Sequence, residues 1–207
     1  MPSTQDFLEF DQLKEGVLIL KNKGLRIILM VSSLNFALKS SEEQDAIIYQ
    51  FQNFLNSLDF SIQIIVQSRR LKMTGYLDKL TEIEKKEENE LLQVQISEYR
   101  KFIKQIIGGG AIMQKSFYVV VPFSIIETLK KQGQKVPKIP KMTEDMFQRA
   151  KAQLLQRAEF IILGLRTSGL ETVPLNNVEI AELLWGLHHP AQAERGYYPE
   201  LPSELIE

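Results

Sequence analysis

The apolar positions of this chain follow two rhythms, and the change from one to the other marks its elements. Gly16–Lys21 (GVLILK) and Leu25–Val31 (LRIILMV) are apolar runs of strand length on either side of Asn22-Lys23-Gly24. Two such runs across a short glycine-containing turn predict a β-hairpin. The turn residues are expected to supply the positive φ angles that a tight connection needs. The period then lengthens. Ile47, Ile48, Phe51, Phe54, Leu55 and Leu58 recur at three- and four-residue steps, which predicts one apolar helix face over residues 42–58. Ser40 and Ser41 precede Glu43 and Gln44 at the spacing of a capping box. Phe60–Val66 (FSIQIIV) is the third predicted strand, closed by Arg69 and Arg70.

Residues 74–107 are helical in character, with no proline and, after Gly75, no glycine. Within them Glu82–Glu90 (EIEKKEENE) is nearly all charged, the composition of an exposed helix. One unbroken helix of this length would run about 50 Å. Neighbouring strands on either side require the chain to return, so two helices are predicted, with a break near Asn89 that caps the second. Gly108-Gly109-Gly110 end the segment. Ser116–Pro122 (SFYVVVP) then reads as a buried strand and Ile125–Lys131 as a short helix. A basic loop carries Lys130, Lys131, Lys135, Lys138 and Lys141 with two prolines and no acid. A helix over 143–165 follows, capped by Thr143 and closed by Gly169, and Leu170–Pro174 reads as a short strand. Asn176 and Glu179 open a last helix reaching Leu187, whose apolar face takes Leu183, Leu184, Trp185 and Leu187 into the core.

Setting aside the first hairpin strand and the helical excursion leaves the order β-α-β-β-α-β. That predicts an α+β fold with a ferredoxin-like antiparallel sheet. The N-terminal hairpin strand extends the sheet, and the helical insertion (74–107) falls between its two middle strands. The domain is expected to span residues 1–190, with 191–207 a tail or linker.

Composition narrows the chemistry. The 207 residues hold no cysteine, which excludes disulfides and thiolate metal sites. Net charge is −1, so no whole-chain field steers the protein to nucleic acid or an anionic membrane. Apolar runs are about five residues long against the roughly 20 of a membrane span, and the chain is expected to be soluble. His188 and His189, the only histidines, point apart on a helix and have no acidic ligand at metal spacing. The nearest approach to a nucleotide motif is Gly109–Ser116 (GGAIMQKS). A phosphate-binding loop needs glycine where Gln114 stands, and it runs from a strand into a helix, the reverse of the order predicted here. No serine or threonine is marked as a nucleophile by a neighbouring base. The chain is therefore expected to bind rather than catalyse, with no cofactor and no small-molecule substrate. The basic loop is the one feature that suits nucleic acid, although it lacks aromatic residues to stack on bases. A degenerate nucleotide binder at Gly109–Ser116 and a nucleic-acid adaptor are the alternatives.

Four segments taken together resemble a known family: Gly16–Phe36 (GVLILKNKGLRIILMVSSLNF), Phe51–Arg70 (FQNFLNSLDFSIQIIVQSRR), Phe117–Pro122 (FYVVVP) and Leu175–Pro190 (LNNVEIAELLWGLHHP). Their order and spacing are similar to the N-terminal domain of the TraC/TrbE/CagE family, the VirB-type ATPases of conjugation and type IV secretion. In that family the domain precedes a RecA-like ATPase domain, whose ATP-binding residues have no counterparts in this chain. The resemblance implies a docking domain of a conjugative or type IV secretion apparatus, cytoplasmic and peripheral at the inner face of the membrane. The implied partners are a transfer ATPase motor and inner-membrane channel subunits, with self-association also open. Arg69, Arg70, Lys85, Lys86, Lys135, Lys138 and Lys141 are the expected contact residues.

Overall fold

A computed structural model describes residues 9–70, 74–109, 113–124 and 142–194. The short helix and basic loop expected over 125–141 lie outside the described residues, as do Lys135, Lys138 and Lys141. Two compact units divide the chain. The described part of the first is residues 9–66, 116–124 and 142–184; that of the second is residues 67–70, 74–109, 113–115 and 185–194.

The elements run β1 (Phe10–Lys14), β2 (Val17–Leu20), β3 (Gly24–Val31), α1 (Ser41–Asn56), β4 (Gln63–Arg70), α2 (Thr74–Lys86) and α3 (Glu90–Gly109). After these come β5 (Met113–Ser124), α4 (Glu144–Thr167), β6 (Thr172–Pro174), α5 (Asn177–His188) and α6 (Pro190–Glu194). The strands form one sheet in the order β1-β2-β3-β5-β4, and β6 also pairs with β3. Read from the other edge, β6-β3-β5-β4 is the ferredoxin-like order. The β3–β5 and β3–β6 pairs are both antiparallel. One edge of β3 is shared: its first half pairs with β2 through Arg26 and Leu25, its second half with β6 through Leu29, Met30 and Val31. β6 is confined to three residues because β2 already occupies the rest of that edge.

The predicted β2–β3 hairpin is present, and one of its turn residues supplies the expected positive φ. Positive φ falls on Lys23, at 63°, while Asn22 serves through its side chain, whose Oδ1 accepts from the Gly24 N–H at 2.9 Å. A further strand, β1, precedes this hairpin and pairs with β2. Its sequence FDQLK carries little alternation, so nothing in the apolar pattern announces it. It is fixed by its turn: Glu15 and Gly16 have φ of 52° and 74°, the two successive positive values of a tight two-residue hairpin. The Gly16 N–H also donates to Oδ1 of the buried Asn177 at 2.7 Å, tying this turn to the first turn of α5.

Alternation along the strands sends side chains to two cores. On one face Val17, Ile19, Leu25, Ile27, Leu29, Val119, Val121 and Phe123 meet Phe54 of α1 and the stripe Phe147, Ala150, Leu154, Ala158, Ile161 and Leu165 of α4. On the other face Ile28 and Val120 pack with Leu175, Ile180 and Leu183 at the start of α5. The α1 face is narrower than its period suggests. Phe54 is buried, Phe51 and Leu58 pack beside the core, and Ile48 and Leu55 remain exposed. The helix ends follow the sequence closely. Ser40 and Glu43 form the reciprocal capping box of α1. Thr143 caps α4, and Gly169 ends it at φ 77°. Asn176 and Glu179 cap α5 reciprocally, at 3.0 and 2.8 Å.

Three expectations are corrected. β4 runs from Gln63 through Arg70 rather than over 60–66, so Arg69 and Arg70 belong to the strand instead of closing it. β6 begins at Thr172, two residues late, because Gly169 and Leu170 complete the end of α4 through bonds to Arg166 and Leu165 carbonyls. Beyond Pro190 the chain is helical as far as Glu194. Proline is well suited to the first turn of a helix, where its missing N–H costs nothing.

Candidate interaction surfaces

Among the described residues chemistry-bearing side chains do not converge on a metal-holding cluster: no group of three histidines, aspartates or glutamates could hold a metal ion. Of the two histidines, His189 stacks on Trp185 with ring centroids 3.8 Å apart; on the face expected in the core, Leu183 is buried, Leu184 and Trp185 are half-buried and Leu187 is exposed. The phosphate-loop near-match also has the wrong context: α3 ends at Gly109, and Lys115 and Ser116 lie inside β5. A helix presents carbonyls, not N–H groups, at its C-terminal end, and that polarity repels a phosphate.

The expected contact residues occupy different places. Arg69 is half-buried near the end of β4. Its guanidinium lies where a Cβ on Gly186 would stand, so a side chain at 186 would require the arginine to move aside. Arg70 is the last residue of β4. Lys85 and Lys86 are exposed in the last turn of α2, where positive charge complements the negative end of the helix.

The α2–α3 pair carries the most distinctive surface. The two helices separate at Glu87–Asn89, and the Asn89 Oδ1 accepts from the Leu91 N–H at 3.0 Å, fulfilling the predicted cap. They run antiparallel, tied by Arg100 of α3. Its guanidinium donates to Thr81 Oγ1 at 2.8 Å and lies 3.2 Å from Glu84. Ile96 and Ile103, four before and three after Arg100, are half-buried with it. A second apolar stripe on α3 is left open: Leu92, Tyr99, Phe102 and Ile106 are all exposed. Tyr76 and Ile83 of α2, also exposed, continue the same face, and the Tyr76 hydroxyl donates to that of Tyr99 at 3.3 Å. That bond holds the Tyr76 phenol above its ordinary range. The sequence shows all these apolar residues, but a helical period alone does not separate the half that α2 covers from the half it leaves bare. The sign of the second half is an apolar arc wider than one neighbouring helix can cover.

A family model for the archaeal TraC-like domain matches residues 11–185. The chain belongs to this family. The match reaches from β1 into α5, so it includes the sheet, both cores and the α2–α3 insertion of the TraC-like domain. No curated protein matches the chain. No ATPase domain lies within the 207 residues of this TraC-like chain. Among its described residues no helix is long and apolar enough to cross a membrane.

Proposed function

We propose that this TraC-like chain is a non-catalytic docking domain of a conjugative or type IV secretion apparatus, acting beside a transfer ATPase at the cytoplasmic face of the membrane. The supporting observation is the family match over residues 11–185 in a chain that holds no ATPase domain. The structure is in keeping with it. The strands and the α4 stripe make a rigid scaffold, while apolar and charged side chains stand exposed on the α2–α3 insertion. Arg69, Arg70, Lys85 and Lys86 would add contacts at the ends of β4 and α2, and the basic 130–141 segment would add Lys135, Lys138 and Lys141. Purifying the tagged chain from cells that assemble the apparatus tests this reading. A Walker-motif ATPase and inner-membrane channel subunits should be retained with it. A chain that never retains either, from preparations in which the apparatus is intact, contradicts the proposal.

A further inference from the structure

The open face of α2–α3 has the spacing of a helix-pairing seam. Leu92, Tyr99 and Ile106 follow one another at seven-residue intervals, with Phe102 three residues after Tyr99 and four before Ile106. Sevenfold spacing with a three–four alternation keeps side chains on one line along a helix and is the pattern by which one helix packs against another. These four are 44%, 45%, 55% and 43% exposed, so the line is uncovered, with the polar Gln95 at the position between Leu92 and Tyr99. From Leu92 to Ile106 it extends about 21 Å at 1.5 Å per residue. Tyr76 and Ile83, again seven apart, set a second line beside it on α2. A face two helices wide asks for a partner two helices wide.

Charge indicates which partner. Around the turn joining the helices stand Glu82, Glu84, Glu87, Glu88 and Glu90, against Lys85 and Lys86. Toward the far end of α3 stands Lys104, while Arg100 and Lys101 are already paired with Glu84 and Glu98. The pair is acidic at its tip and basic at its stem, so it complements itself when two copies lie head to tail. Side by side with tips together, like charges would meet at both ends. Near the middle of the seam, where a twofold axis would bring the two copies of Glu98 closest, that carboxylate is already neutralised by Lys101 at 2.7 Å. A surface with no dominant sign also suits an anionic membrane poorly.

We propose that the α2–α3 insertion is a self-association surface, which joins two copies of this chain in an antiparallel four-helix arrangement about a twofold axis. The inference goes beyond docking to a transfer ATPase and does not depend on it. Sedimentation equilibrium of the purified full chain over a concentration series tests it. The wild type should form a dimer whose dissociation constant rises with salt. Phe102→Glu should weaken the dimer at least about tenfold, and Phe102→Ser, a milder change, should act in the same direction with unchanged circular dichroism. Glu88→Lys alone and Lys104→Glu alone should each weaken it, and the two together should restore it. A wild type that stays monomeric at every accessible concentration overturns the proposal. So does a dimer indifferent to Phe102, or a pair of charge reversals whose effects merely add. A monomer that instead binds vesicles of anionic lipid through Phe102 assigns the face to membrane and overturns it equally. None of these results bears on whether the chain retains an ATPase.

Discussion

Single residues set the tolerances of this fold. Gly164 on α4 sits against the Phe54 ring of α1 so closely that an added Cβ would overlap the ring. Phe54 is the buried anchor of α1, so the ring cannot simply swing out. Gly164→Ala is therefore expected to destabilise the domain by roughly 1–3 kcal/mol, the usual range for overpacking, as measured by urea unfolding. Phe54→Leu in the same background should recover part of that loss. Two exposed ion pairs tie the β1–β2 end of the sheet to α4. The Lys151 ammonium donates to Glu15, and that of Lys14 to Glu144 at 2.8 Å. The hydrogen bond from Lys151 holds the Glu15 carboxyl below its ordinary range, and the one from Lys14 does the same for Glu144. A carboxylate with a lowered folded value contributes stability above the unfolded value of about 4.3. That contribution is lost as pH falls through the folded value. Unfolding midpoints should thus fall as pH drops below about 4.3, and Glu15→Gln should flatten part of that fall. The effect should be small, as it is for most exposed pairs. Little of this detail could be read beforehand: Gly164 looks like any helical glycine until Phe54 is placed on it, and Glu15 gives no sign that Lys151 will lie across from it.

At the scale of elements, the sequence was most informative where local chemistry decides. The caps of α1, α4 and α5 and the break at Asn89 all rest on side chains within three residues of the backbone groups they satisfy. Ser40→Ala removes the acceptor for the Glu43 N–H and should cost about 1 kcal/mol in unfolding free energy. The Ser40 backbone N–H survives this change, so the Glu43 carboxyl, held down first by that N–H, should keep most of its lowered value in an NMR titration. Strand bounds were harder. β1 depends on the Glu15-Gly16 turn and on pairing with β2 more than on its own pattern. β4 continues through Arg69 because its ladder partner, not its hydrophobicity, decides where it stops. Ile96 and Leu92 look alike in the sequence of α3, yet one is half-covered and the other exposed. That distinction is tertiary, and it carries the self-association proposal.

For the whole molecule, the order β-α-β-β-α-β was enough to anticipate the sheet β6-β3-β5-β4, because two helical crossovers of one hand leave few alternatives. The shared edge of β3 was not legible, since it depends on where β2 and β6 stop. Of the expected contact residues, Arg69 proves to be packed on Gly186, while Lys85 and Lys86 stand free of the core at the end of α2. The account proposed for the chain is that it binds a motor and leaves catalysis to it. Equilibrium titration of the fluorescently labelled chain with the purified transfer ATPase of the same apparatus tests that account most directly. Saturable binding, undiminished by Lys115→Ala, is the result it predicts. No binding to the folded, ATP-hydrolysing motor at any concentration would contradict it.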